Sequence, residues 1–356
     1  SNTTAQVLKQ GEVQGSDVAA HSAGVLDIKT TILPDADALF LTAIDRYGHE
    51  LWRWTFPVNK LNQANEVLSP LSNKVTSTET ENELTVKAKN HTFIFSKKDG
   101  QLKGVSVNNR KISFANGPRF IGARRADRSL DQFYNHDDEK AKEKDRTYSE
   151  FPDAAVFTKL DVKEDGGNLI VTANYKLGNL DKVQWTINPN GEAVLDYTYN
   201  FSGVVDLMGI CFDYPEDQVI SKRWLGAGPY RVWQNRIHGT QYDVWENDYN
   251  DPIPGETFTY PEFKGYFGSV SWMNIRTKEG TISLTNETPD AYIGVYQPRD
   301  GRDRLLYTLP ESGISVLNVI PPVRNKVNST DLCGPSSQPK WVNGPQSGRI
   351  IFRFME

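Results

Sequence analysis

Apolar and polar residues alternate with a period of two over much of this chain. Leu169, Val171 and Ala173 share one face of such a run, and residues 195–201 repeat the pattern. Successive side chains of a β-strand point to opposite faces, so this alternation predicts strands with one buried face. The same pattern occurs in further short runs, at residues 39–44, 51–58, 84–88, 282–284 and 350–354.

Turn signals separate these runs at short and regular intervals. Asp99-Gly100 divides residues 93–102 into two halves, which predicts a hairpin. Near the N-terminus, runs at 25–30, 39–44 and 51–58 predict a group of three strands. Many short strands joined by such turns predict an all-β sandwich or barrel.

Helical periodicity is nearly absent from the sequence. Residues 137–146 are rich in charged residues on every side, so we expect an exposed helix or a surface loop there. Residues 1–23 are small and polar and are predicted to be a leader or linker, with a second linker at 61–82. The first residues carry neither an initiator methionine nor an apolar signal core, so we expect a piece of a longer protein.

Composition excludes several classes of protein. With 16 Phe, 15 Tyr and 8 Trp the chain is too aromatic to be disordered. No apolar run approaches the ~18 residues that cross a bilayer, so we expect no membrane partner. The net charge of −5 is spread over mixed signs without a basic stripe, which argues against a nucleic-acid partner.

The sequence also lacks the common motifs of metal, cofactor and nucleophile sites. Cys211 and Cys333 lie far apart, which argues against a zinc site or a disulfide scaffold; we expect two buried thiols, with a single disulfide as the alternative. The five histidines are scattered, and there is no phosphate-binding glycine loop or Gly-x-Ser-x-Gly elbow. We therefore expect no metal and no cofactor in this chain.

The segment from Arg223 to Gly265 has the highest density of aromatic and planar polar residues. Pyranose rings stack on aromatic faces, and their hydroxyls bond to planar polar groups, so this density indicates carbohydrate binding. The candidate carbohydrate-binding residues are Trp224, Tyr230, Arg231, Trp233, Asn235, Arg236, Trp245 and Glu262. Ordinary core packing of Trp and Arg is the alternative explanation, and the sequence leaves both open.

Two segments resemble known proteins. Residues 93–102 followed by Asn116-Gly117-Pro118-Arg119 resemble the opening of the C-terminal domain of family 2 β-galactosidases. Residues 224–229, Trp-Leu-Gly-Ala-Gly-Pro, resemble its Trp-Leu-Gly-x-Gly-Pro signature, and residues 261–265 stand where members show Pro-x-Glu-x-Gly. The acidic residue that normally follows the signature is absent, and Arg125-Ala126-Asp127-Arg128 departs from the usual Arg-Ala-Pro-x-Asp-Asn-Asp, which weakens the expectation of galactose specificity.

The resemblance implies a fold and a function. Residues 83–356 are expected to form a large β-supersandwich of the galactose mutarotase type, and residues 24–60 the last strands of an immunoglobulin-like sandwich. Family 2 catalytic glutamates lie in a (β/α)₈ barrel, which needs about 250 residues of alternating strands and helices that are absent here. The implied function is a non-catalytic domain that packs on an upstream barrel of the same parent chain and lines its carbohydrate cleft. By analogy, a periplasmic or secreted location is expected.

Two other functions remain open at this stage. A free-standing carbohydrate-binding module would need an exposed aromatic platform, for which Trp233 and Trp245 are the test positions. A mutarotase-like epimerase would need a general acid and a general base, and His238 with Glu246 or Glu262 is the nominated pair.

Overall fold

The structure is a computed structural model, which describes residues 7–58 except 35 and 37, then 74–125, 148–249, 265–295, 310, 312–322 and 335–356. The predicted exposed segment at 137–146, Glu262 and Cys333 lie outside these residues. Among the described helices, none is long and apolar enough to span a membrane.

The described residues form strands with only short 3₁₀ turns between them. The first ten strands are β1 (Ala38–Ile44), β2 (Glu50–Pro57), β3 (Thr76–Glu79), β4 (Glu83–Ala88), β5 (His91–Ser96), β6 (Leu102–Val107), β7 (Arg110–Ile112), β8 (Ala115–Arg125), β9 (Tyr148–Glu150) and β10 (Val156–Asp165). The remaining strands are β11 (Asn168–Lys176), β12 (Leu180–Ile187), β13 (Ala193–Val205), β14 (Leu207–Asp213), β15 (Val219–Gly228), β16 (Gln241–Asp248), β17 (Trp272–Thr277), β18 (Gly280–Asn286), β19 (Tyr292–Val295), β20 (Ile314–Val319) and β21 (Lys340–Met355).

Two large antiparallel sheets contain all strands except β1 and β2. A nine-stranded sheet has the order β10-β11-β12-β13-β21-β18-β17-β15-β16. A ten-stranded sheet has the order β19-β20-β14-β8-β6-β5-β4-β3, with β7 beside β6 and β9 beside β8. The prediction of an all-β fold with large packed sheets is therefore confirmed.

The main core lies between the two sheets. Phe95 on β5 packs against Trp185 on β12, and Phe212 on β14 packs against Phe352 on β21. Phe95, Trp185 and Phe352 come from alternating runs, and the burial pattern of β11 follows the same alternation. Period-two patterning thus places one face of these strands in the shared core, whereas β14 is buried on both faces from Leu207 to Phe212.

Three hydrogen bonds join the sheets beside this core. Glu279, in the turn between β17 and β18, accepts hydrogen bonds from the Ser113 backbone N–H at 2.8 Å and the Ser113 hydroxyl at 2.7 Å. The Tyr214 hydroxyl donates a third at 3.0 Å. One carboxylate therefore fixes a loop of the ten-stranded sheet to a turn of the nine-stranded sheet.

The first three-strand group is only partly confirmed. Strands β1 and β2 form as predicted and pair in an antiparallel hairpin. Residues 25–30 have no strand structure, and Val25 is 91% exposed, so that prediction was wrong. An alternating run becomes a strand only where a neighbouring strand completes its hydrogen bonds, and none of the described strands adjoins this run.

Candidate functional site

The aromatic segment singled out from the sequence leaves one sheet and covers the other. After β15 ends in the nine-stranded sheet, Val232 exchanges two backbone hydrogen bonds of 2.8 Å with Tyr266. Val232 and Trp233 then pack on Ile121 and Cys211, which lie on the ten-stranded sheet, in a second hydrophobic core. Residues 231–234 of this segment are therefore built into the fold.

Trp224 and Trp233 are part of the core. Trp224 has no exposed surface, meets Phe267 edge to face at 4.8 Å and donates a 3.1 Å hydrogen bond to the Ala227 carbonyl. Trp233 is 1% exposed and meets Tyr266 edge to face at 5.7 Å. At these two positions the structure favours packing over sugar stacking.

Two cationic side chains are buried in the same region. Arg231 and Lys222 each approach the Phe267 ring at 5.8 Å, and Lys222 also lies 5.0 Å from the Tyr249 ring. Both are fully buried. An aromatic face attracts a cation more strongly once water is excluded, so these rings offset part of the cost of burying the charges. Arg231 is thereby held away from any ligand on the surface.

The remaining predicted residues are more accessible. The Tyr230 hydroxyl donates to the His238 carbonyl at 2.9 Å, and Asn235 lies 3.4 Å from the Ser337 hydroxyl. The Arg236 side chain is exposed on the same loop. Trp245 is half-buried on β16, where its indole N–H donates to the Gln241 carbonyl at 3.2 Å. A carbohydrate-binding role for these residues and for Glu262 stays a prediction.

His238 and Glu246 occupy different surroundings. His238 is exposed on the loop after β15, whereas Glu246 is exposed on β16, 3.9 Å from the Arg223 guanidinium. No described contact joins the two side chains. The described residues also contain no cluster of three or more His, Cys, Asp or Glu side chains that could hold a metal ion.

A polar groove lies beside the second hydrophobic core, since Ile121 and Cys211 belong to both. It has a volume of about 610 Å³ and is formed by the β5–β6 turn, β8, the segment from β9 into β10, and Tyr175 on β11. We call it the Arg119 groove. Its polar lining consists of Lys98, Asp99, Gln101, Arg119, Glu150 and Asp153.

Arg119 is held in position within this groove. Its Nη2 donates to Asp213 Oδ1 and lies 3.8 Å from the Cys211 sulfur. Asp213 is fixed in turn by Asn116, whose side-chain amide donates to Oδ2 at 2.8 Å. The guanidinium remains partly exposed, at 37% of its side-chain surface. Arg119 can therefore offer further N–H donors in a fixed direction.

Asp99 is a second lining residue that is held in a fixed position. Asp99 accepts from Lys103 Nζ at 2.8 Å and from the Gln101 backbone N–H at 3.1 Å. Partial burial opposes ionisation, but the hydrogen bonds from Lys103 and Gln101 prevail and hold the pKa of Asp99 below its ordinary value. The Tyr175 hydroxyl donates to the Asp99 backbone carbonyl at 2.8 Å, which fixes the turn.

Sequence reasoning did not find this groove. Its lining residues come from six places in the chain between residues 98 and 211, and no short motif connects them. In the sequence, Arg119 stands out only within the Gly-Pro-Arg resemblance, and Asp99 only as a turn residue. Aromatic residues accompany these charged residues in the sequence and could have indicated a binding site; they are Phe151, Phe157 and Tyr175. Sequence alone does not show that they lie together, because the pairing of β10 with β11 brings Phe157 and Tyr175 side by side.

Comparisons with known proteins add a family and a set of structural relatives. None of the curated proteins matches the chain. Among solved structures, a galactose 1-epimerase from Lactobacillus acidophilus has a TM-score of 0.41 at 9% identity, and the match covers 80% of this chain and 99% of that one. An aldose epimerase homologue from C. elegans has a TM-score of 0.37 at 9% identity, covering 79% and 99%. Similarity at this level carries no information about activity.

The family comparison is more informative. A model of the β-galactosidase small chain matches residues 87–320, which is well over half of the chain. The matched region begins in β4 and ends just after β20, so it contains the Arg119 groove and all of the aromatic segment. The resemblance noted at Gly117-Pro118-Arg119 and at residues 224–229 is thereby confirmed, and the chain belongs to the β-galactosidase small chain family.

Proposed function

We propose that this chain is a non-catalytic domain of a family 2 glycoside hydrolase, which packs on an upstream catalytic barrel of the same parent protein. The observation that carries the proposal is the family match over residues 87–320. In this account the catalytic glutamates lie in the barrel, and this domain contributes part of the wall of the carbohydrate cleft.

The β1–β2 hairpin supports a packing partner. Its register places Leu41 opposite Trp54 and Ala43 opposite Trp52, so these side chains share one face. Trp52 and Trp54 are 51% and 44% exposed. A two-stranded hairpin is marginally stable by itself, and exposed contiguous apolar surface marks interaction sites. The hairpin therefore has the features of one face of a larger β-structure.

The hairpin also lies beside the sandwich. Arg53 on β2 is 3.9 Å from Asp243 on β16, the edge strand of the nine-stranded sheet. Strand β16 also carries Trp245, the most accessible tryptophan of the aromatic segment. A barrel seated against the hairpin would thus have its cleft near the predicted sugar-contacting residues.

Association with the barrel tests this proposal. The barrel and this chain are produced as separate chains, mixed, and followed by analytical ultracentrifugation and by hydrolysis of 4-nitrophenyl β-D-galactopyranoside. We expect a complex, and a Trp52→Ser/Trp54→Ser variant should weaken it at least about tenfold, because buried aromatic residues dominate interface energies.

Trp341 supplies the matched control. It is 71% exposed at the start of β21, outside the hairpin. Trp341→Ser should leave the complex unchanged. A parent gene without a barrel-encoding region, or equal binding by the hairpin variant and the wild type, would contradict the proposal.

A further inference from the structure

We propose that the Arg119 groove is a binding site for a neutral mono- or disaccharide, which this chain binds without the barrel. The proposal goes beyond the function given above, because the groove consists only of residues of this chain. Its volume of about 610 Å³ lies within the range of small-molecule sites.

The charge pattern of the lining selects the ligand class. Lys98 and Arg119 supply donors, whereas Asp99, Glu150 and Asp153 supply acceptors. Two of the charged lining groups are already paired, since Arg119 pairs with Asp213 and Asp99 pairs with Lys103. A strongly charged ligand would therefore gain little, whereas hydroxyl groups both donate and accept and match a lining of mixed polarity.

The polar groups are fixed before any ligand arrives. Asp213 orients Arg119 and is itself oriented by Asn116, while Lys103 and the Gln101 backbone orient Asp99. The bonds of Arg119 to described residues all run through Nη2, so Nη1 retains donors for a ligand. Fixed donors and acceptors lower the entropic cost of binding a small polar molecule.

Aromatic residues complete the groove. Phe157 and Tyr175 meet edge to face at 5.9 Å, and Phe151 packs on Phe201 at 5.3 Å. Phe151, Phe157 and Tyr175 line the groove and are only partly buried, so each presents apolar surface to it. Apolar ring surface beside mixed donors and acceptors is the combination that a pyranose requires, because its C–H face is apolar and its rim is hydroxylated.

Calorimetric titration of the purified chain tests the proposal. Methyl β-D-galactopyranoside, lactose and cellobiose serve as neutral probes, and galacturonate serves as the charged comparison. We expect at least one neutral probe to bind and galacturonate to bind more weakly. Arg119→Gln should weaken binding about tenfold or more, because a charge-assisted hydrogen bond is lost.

Arg349→Gln is the matched control. Arg349 also pairs with an aspartate, Asp196 at 3.4 Å, but it lies on β21 outside the groove. Its substitution should leave binding unchanged. If Arg119→Gln does not fold, Glu150→Gln carries the same test, since that side chain is exposed.

Three results would overturn the proposal: no heat from any neutral probe, preference for galacturonate, or binding that neither groove variant weakens. The barrel is absent from this titration, so a negative titration would not affect the result of the association experiment. A negative association experiment would likewise not affect the titration.

Discussion

Phe212 and Phe352 meet edge to face with their ring centroids 5.6 Å apart, and this pair joins the two large sheets. Phe212 comes from β14 in the ten-stranded sheet and Phe352 from β21 in the nine-stranded sheet. Trp185 contacts both rings, at 6.2 and 5.9 Å. The centre of the sandwich is thus an aromatic cluster to which both sheets contribute.

Removing one ring of this cluster should destabilise the whole domain. Phe352 has no exposed surface, so Phe352→Ala leaves a cavity and should lower the free energy of unfolding by about 3–5 kcal/mol. Urea denaturation followed by fluorescence measures the change. Met355→Ala on the same strand is the control, because Met355 is 43% exposed. Equal effects of the two substitutions would contradict a shared core at Phe352.

Glu279 should matter through its hydrogen bonds between the sheets. Glu279→Gln replaces one carboxylate oxygen by an amide donor, which faces the donors of Ser113 or Tyr214. We expect a loss of about 1–3 kcal/mol in the free energy of unfolding. Glu287→Gln removes an exposed ion pair to Arg349 and should change stability by less than about 1 kcal/mol. If both variants unfold at the same urea concentration, the hydrogen bonds of Glu279 do not stabilise the contact between the sheets.

Tyr197 should make the domain sensitive to alkaline pH. Burial raises the pKa of Tyr197 to about 12 from its ordinary value of 10. The unfolded chain therefore releases this proton at lower pH than the folded chain does, and stability should fall as pH rises from 10 towards 12. Urea denaturation from pH 7 to 11 should show a smaller fall for Tyr197→Phe, whereas Tyr47→Phe, at a 70% exposed position, should match the wild type. Identical pH profiles for all three proteins would refute this assignment.

Cys211 should be unreactive in the folded protein. It is a free, buried thiol, and burial raises its pKa to about 11. The thiolate is the reactive species, so iodoacetamide at pH 8 should label Cys211 only after unfolding. The experiment uses a Cys333→Ser background, so that mass spectrometry reports a single thiol. Rapid labelling of the native protein would show that the second core opens readily.

The strands were predictable from the sequence because strand patterning is local. Leu169, Val171 and Ala173 alternate with polar residues, and this pattern alone defines a half-buried strand. Residues 25–30 show that local patterning alone does not determine whether a strand forms. Their pattern is strand-like, but strand formation also depends on a neighbouring strand, which local patterning does not specify.

The site was harder to predict because burial depends on distant contacts. Trp233 is buried because its loop crosses to Tyr266 and to the ten-stranded sheet, which is a matter of topology rather than composition. The same holds for the Arg119 groove, where sheet pairing brings Arg119 and Asp99 into one lining. Aromatic density therefore selected a segment that contains both core residues and accessible ones such as Trp245, without separating the two.

Activity assays on the purified chain and on the proposed longer parent protein test the central claim most directly. Each is assayed for hydrolysis of 4-nitrophenyl β-D-galactopyranoside and, by polarimetry, for mutarotation of fresh α-galactose. A non-catalytic domain predicts hydrolysis by the parent protein, none by this chain, and no acceleration of mutarotation by this chain. Turnover of either substrate by the purified chain would contradict that account.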